Sequence, residues 1–215
     1  MLSNEFPAIE TPFDYRNLCW FCGEPKFSYF QFPQHLTFAC PHPPLAVPSC
    51  KECQEIANKL EEDSIWKTFH KVKAELIKQY QKDLAIGINW TEQELAESQF
   101  EGGNFESFQR SAWMMYEIAK GRVNFKPWRL EIAGIYASDY EIDLGFCFDG
   151  VNYPTVEHAV NHYAKSFKLN KEFLRQLVAV LGEGEFSYAV RLCRIMIDAT
   201  PNERAAVIRE VSAKR

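Results

Sequence analysis

Two Cys-x-x-Cys pairs, Cys19-Trp20-Phe21-Cys22 and Cys50-Lys51-Glu52-Cys53, constrain what this chain can fold into more than any other feature. Two thiolates three positions apart reach one ion from a tight turn, and a second such pair completes a closed tetrahedral shell of four sulfurs. The spacing predicts one Zn2+ held by Cys19, Cys22, Cys50 and Cys53. Gly23, directly after the first pair, fits a turn that needs an unusual backbone angle. An all-thiolate shell leaves no open position for a substrate, so the expected site is structural.

Composition narrows the function classes. The 215 residues carry a net charge of −5, which argues against a surface coated in basic charge for nucleic acid. No run approaches the ~18 consecutive apolar residues of a membrane span. The first sixteen residues are polar and proline-bearing, unlike a signal or transit peptide. Seven cysteines, four in metal spacing, suit a reducing compartment, so a cytoplasmic protein without a membrane partner is expected. The 17 Phe, 9 Tyr and 5 Trp suggest dense packing and a partner surface.

The chain reads as three segments. Residues 1–62 form a loop-rich zinc module: prolines between the cysteine pairs exclude a long helix, Phe27 to Phe32 reads as hairpin strand, and a helical pattern follows Cys53. Knuckle, hairpin and a helix carrying the last ligands describe a treble clef. Residues 63–125 form a helical segment. Ile65, Phe69, Val72, Leu76 and Tyr80 make one apolar stripe of a helix from Ser64 to about Ala85, with Gly87 as its stop. Thr91 and Glu94 make a capping box, and Asn104 caps a helix with Phe105, Phe108, Ala112, Trp113, Tyr116 and Ala119 inward, ended by Gly121.

Residues 126–215 form a C-terminal α+β segment. Leu130 to Ile135 and Phe146 to Tyr153 read as strands, the second turning at Asp149-Gly150. Helices over 154–167, 171–181 and 186–198 follow, with Pro154 starting the first, and Thr200 to Glu203 opens a last one. The expected fold is α+β and mostly helical, a treble-clef zinc module packed on a helical body with a small C-terminal hairpin.

Two family resemblances bear on function. Cys19 to Gly23, His35 and the Val47-Pro48-Ser49-Cys50-Lys51-Glu52-Cys53 run resemble the treble clef of HNH endonucleases over about 45 residues. That resemblance implies metal-dependent nucleic-acid cleavage with His35 as general base. Gln34 and Gln54, however, stand where the family places an acidic residue and an asparagine. The run Asp149 to His158, followed by Lys165-Ser166-Phe167, resembles the NADAR (YbiA-like) family, which acts on ADP-ribose N-glycosides. It implies Glu157 as the catalytic carboxylate and Lys165 as a substrate contact.

Other groups are weighed beside these. Lys67, Lys71, Lys78 and Lys82 fall on the helix face opposite the apolar stripe, a spacing that suits a phosphate backbone but is diluted by acidic neighbours. His158 and His162 have the i, i+4 spacing of a metal pair, and Cys40 is the weaker substitute ligand. The reading is a zinc-stabilised binding or scaffold protein with a degenerate HNH-like clef, contacting nucleic acid or a protein partner. A metal-dependent HNH-type endonuclease and a NADAR-like ADP-ribose N-glycosidase are the alternatives.

Overall fold

The computed structural model describes residues 6–34, 40–97, 105–132, 135–136 and 145–213. It divides into two compact units, Met1–Pro154 and Thr155–Arg215. Among the described residues the fold is α+β and mostly helical, its strands joined in antiparallel pairs.

In the first unit β1 (Ser28–Phe32) pairs with β2 (Leu45–Ser49), Phe30 opposite Val47. Strand alternation puts Phe30 and Phe32 inward and leaves Tyr29 and Gln31 exposed. Every residue of β2 is buried. Its second edge is covered too: Ala46 N–H donates to Pro7 O at 2.8 Å and Ile9 N–H to Ala46 O at 3.0 Å, a parallel bridge the sequence did not announce. Pro48 is tolerated in this central position for a geometric reason. Its carbonyl accepts from Trp20 N–H at 2.8 Å, so its backbone polar side faces away from β1 and the ladder loses no donor.

α1 (Lys51–Ala57) follows β2 directly, with Cys50 as its N-cap. α2 (Ile65–Gln79) is capped by Ser64, whose hydroxyl accepts from Lys67 N–H at 3.2 Å. It buries Ile65, Phe69, Val72 and Leu76, as the spacing predicts. Phe69 meets Trp20 edge-on at 5.4 Å and stacks on Phe21 at 6.5 Å, so the cysteine knuckle and α2 share one core. Burying each such side chain contributes about 1.5–3 kcal/mol.

Several expected helix ends are corrected. The helix expected from Ser64 to Ala85 is two: α2 stops at Gln79, Tyr80 takes φ −89° and ψ 14°, and α3 (Gln81–Asn89) begins. With no Gly or Pro at the break, pattern reading runs straight through it. Gly87 is no stop; it lies inside α3, where a β-carbon would collide with the ring of Tyr116 on α5 (Phe105–Asn124). Gly121 likewise lies inside α5, which continues to Asn124 and buries Arg122 and Val123. Helix packing outweighs the weak propensity of one glycine. Of the α5 residues expected inward, Tyr116 and Ala119 are buried and Ala112 and Trp113 half-buried. Asn104 and the side chains of Phe105 and Phe108 lie outside the described residues.

The Thr91–Glu94 box opens α4 (Glu92–Glu97) as predicted, Thr91 N–H donating to Glu94 at 2.8 Å and Glu94 N–H to the Thr91 hydroxyl at 3.2 Å. The strand expected over Leu130 to Ile135 is instead two short ones, β3 (Glu131–Ile132) and β4 (Ile135–Tyr136), paired with each other. β5 (Phe146–Phe148) and β6 (Val151–Tyr153) form the predicted hairpin, with positive φ at Asp149 and Gly150.

Among its described residues the second unit has four α-helices, α6 (Val156–Ser166), α7 (Lys171–Leu181), α8 (Phe186–Ile195) and α9 (Pro201–Ala213), with a short 3-10 turn at Glu183–Glu185. α6 begins after extended Thr155, so Pro154 precedes the cap instead of occupying the first helical position. Asn170 caps α7 and the Thr200–Glu203 box opens α9. Tyr163, Phe173, Leu174, Leu177 and Phe186 are buried at its core. No helix among the described residues is long and apolar enough to cross a membrane.

The two helical glycines should respond oppositely to alanine. Gly121→Ala, with nothing within 4 Å of the new methyl, should stabilise by about 0.4–1 kcal/mol. Gly87→Ala should destabilise by about 1–3 kcal/mol because the ring of buried Tyr116 has to shift. Urea unfolding of both variants checks the signs.

Candidate metal centre

The four cysteine sulfurs come together although Cys22 and Cys50 are separated by 28 residues. Cys19 and Cys22 flank a turn in which Gly23 N–H donates to Cys19 O at 2.9 Å and Gly23 takes φ +76°. Only glycine adopts that angle without strain, and a β-carbon there would also meet the Phe125 ring. β2 delivers Cys50, and the first turn of α1 delivers Cys53, whose N–H donates to the Cys50 sulfur at 3.4 Å. All four sulfurs lie within 4.8 Å of one another, and those of Cys22 and Cys50 are 3.7 Å apart. Zinc–sulfur bonds of about 2.3 Å place tetrahedral ligands about 3.8 Å apart, so the set fits one ion.

Electrostatics favours a cation at the centre. Burial pushes the Cys19 thiol far up, while hydrogen bonding with Cys19 lowers Cys22 to about 7. Hydrogen bonds with Cys19 and the other thiols split the second pair, Cys50 down and Cys53 up. Four thiols this close cannot all ionise by themselves. A divalent ion lets them do so.

The surroundings contain charged groups that pattern reading missed. On α5, Arg122 Nη2 donates to the Cys22 sulfur at 3.7 Å and pairs with Glu52 Oε2 at 2.5 Å. Its Nη1 donates to the Tyr80 hydroxyl, which itself donates to Glu52 at 2.9 Å. On α2, fully buried Lys73 donates to Arg122 O at 2.7 Å and Phe125 O at 2.9 Å. Burial pushes the Lys73 ammonium down to about 7, against an upward pull from Cys22, Cys53 and Cys19. One signal was available: Lys73 falls four residues after Phe69 and three before Leu76, on the apolar stripe.

Among the described residues the other candidates join no metal-ligating group. Lys67, Lys71, Lys78 and Lys82 are exposed, but three carry acidic partners: Asp63 at 2.7 Å from Lys67, Glu62 at 3.6 Å from Lys71 and Glu75 at 3.2 Å from Lys78. The break at Tyr80 puts Lys82 on a different helix. His35 lies outside the described residues. His42 is buried away from the sulfurs; its Nε2 accepts from Ile65 N–H at 3.0 Å, so Nδ1 carries the proton and donates to Pro43 O at 2.9 Å. The Cys40 thiol donates to His42 O at 3.1 Å and stays outside the group of four.

A groove of about 440 Å³ beside the module is lined by Tyr29, Gln31, Gln34, Gln54 and Asn58 among others. Three of its amides are already engaged, Ser28 donating to Gln54 at 2.5 Å and Gln34 to Asn58 at 2.8 Å.

In the second unit Glu157 accepts from Nη2 and Nε of Arg175, at 2.6 and 3.0 Å, and pairs with Lys171 at 3.3 Å. The Arg175 hydrogen bonds keep its carboxyl below the usual carboxylate range. It lines a groove of about 340 Å³ with Val156, Val160 and Val178. Lys165 is exposed on α6, His162 is buried, and the His158 ring bonds the Thr155 hydroxyl at 2.8 Å. Among the described residues the two histidines form no metal-ligating group.

No family model, no curated protein and no solved structure matches the chain.

Purified protein should carry one zinc per chain by elemental analysis, and serine at any of the four cysteines should lower metal retention. Acid should release the ion, because each thiolate must be free of its proton to bind. Full retention in the Cys53→Ser variant would contradict this assignment.

Proposed function

We propose that this protein is a zinc-stabilised binding scaffold whose first unit is organised by a treble-clef module, and that its partner is a protein. The observation carrying this reading is the closure of the site: all four ligands are buried, Cys19 and Cys53 completely. Four sulfurs saturate a tetrahedral ion and leave no position for water or substrate. Metal binding then serves folding, and function belongs to the surface.

Two features of that surface favour a protein over nucleic acid. Lys67, Lys71 and Lys78 are neutralised by their acidic neighbours, so little net charge is left to displace counter-ions. Met114, Met115 and Ile118 are exposed together on α5 at three- and four-residue spacing, a flexible apolar strip of the kind adaptable binding surfaces use.

The endonuclease reading draws on the hairpin-then-helix order and on the groove between β1 and α1. Carboxamides at Gln34 and Gln54, bonded to their neighbours, make poor ligands for a hydrolytic cation, which wants carboxylate or imidazole oxygen and nitrogen. The N-glycosidase reading needs Glu157 free to act on substrate. Its ion pairs with Arg175 and Lys171 support a structural role at the start of α6 instead.

Two assays separate the readings. Plasmid DNA with magnesium, manganese or nickel should stay intact; cleavage that disappears in His35→Ala would establish the nuclease. Short duplex DNA, single-stranded DNA and RNA should show no salt-dependent binding. Binding whose log–log salt slope falls by about two on charge reversal of Lys67 and Lys71 would make nucleic acid the partner.

A further inference from the structure

We propose that Arg122 is a positioning residue of the metal centre, donating from α5 to a ligand sulfur, and that Lys73 on α2 anchors the backbone that carries it. The inference rests on the zinc reading above and adds that the centre extends well beyond its ligands, into the helical body.

The argument begins with burial. Arg122 is 7% exposed and Lys73 is 0% exposed. A cation taken out of water loses several kcal/mol of solvation, so a fold retains it there only against strong compensation. Among the described residues Lys73 has two carbonyl acceptors and no carboxylate. Carbonyls satisfy its protons but carry no net charge. What its ammonium holds is the end of α5, gripping the backbone on both sides of Val123 and Asn124. Arg122 places one nitrogen on the Cys22 sulfur while Glu52, half-buried, holds the same nitrogen at 2.5 Å and Tyr80 stacks under the guanidinium at 4.8 Å. That is an orienting frame: the fork is fixed so that an N–H reaches sulfur.

A tetrathiolate with a divalent ion carries two net negative charges in a buried site, and the Arg122 guanidinium, shared between Glu52 and Cys22, reaches it with one N–H. The Lys73 ammonium also bonds the backbone of Arg122 itself, so the two act as one unit spanning α2 and the end of α5. Hydrogen bonds to ligand sulfur draw electron density from it and hold it in orientation, the usual work of groups behind a metal's ligands.

The test uses the full chain, loaded with Zn2+ or with Co2+ as a spectroscopic probe. Against a chromophoric chelator, Arg122→Gln should retain the ion about 10- to 100-fold less well than wild type. In the cobalt form its sulfur-to-metal charge-transfer band should move to lower energy, because the sulfur electrons are no longer stabilised. A merely structural role would lower occupancy without moving the band. Lys73→Met should weaken retention in the same direction, and Arg122→Lys, which keeps the charge, should stay close to wild type. The lysine variant also decides where the glutamine variant does not fold: a loss as large as that of Lys73→Met would overturn the proposal. So would wild-type retention and an unshifted band in Arg122→Gln and Lys73→Met. Wild-type protein that takes up neither ion would sink the zinc reading itself, a different failure.

Discussion

The meeting of Cys22 and Cys50, 3.7 Å apart at sulfur, is the constraint on which the first unit turns. Bringing two distant turns together costs loop-closure entropy that the short β1–β2 pair alone would offset poorly. Coordination free energies of structural zinc sites, about 10–16 kcal/mol in small modules, dwarf that cost. Once the sulfurs are gathered, Trp20 and Phe21 between the first two ligands are forced inward, and both are fully buried. Phe30 packs on Phe21 at 5.9 Å and the Trp20 indole donates to Trp128 O at 3.0 Å. Gathering the four sulfurs organises an aromatic core by fixing where their neighbours in sequence must point.

This makes the boundary between a small metal module and a helical body less sharp than composition suggests. Phe69 of α2 closes on both knuckle aromatics, and Phe125, just past α5, lies where a side chain at Gly23 would stand. The shared core and the charged cluster of Glu52, Tyr80 and Arg122 join residues from α1, the α2–α3 junction and α5. Separating the four sulfurs would disturb all of them.

What the sequence disclosed and withheld follows from the range of each interaction. The four clustered cysteines were legible because metal chemistry demands a local spacing, and the capping boxes at Thr91 and Thr200 because each is satisfied within three residues. The break at Tyr80 and the helical glycines at 87 and 121 were not legible, since a distant partner or open space decides them. Arg122 illustrates the difficulty best. On α5 it reads as one more solvated charge, and only the return of Cys22 beside it makes it part of the centre. The acidic dilution of the lysine stripe was legible too, and Lys67, Lys71 and Lys78 each stand beside a carboxylate.

The parallel pairing of Pro7 to Ile9 on β2 has a consequence for how that strand can meet another chain. β2 is apolar and short of charge, and its Ala46 N–H and C=O are occupied by this N-terminal segment. Stripped of that cover, β2 would present a bare hydrophobic strand edge, a template on which another chain adds by main-chain hydrogen bonding. Three residues near the start of the protein therefore act as a selvedge, the finished border that keeps a woven edge from catching on its neighbour.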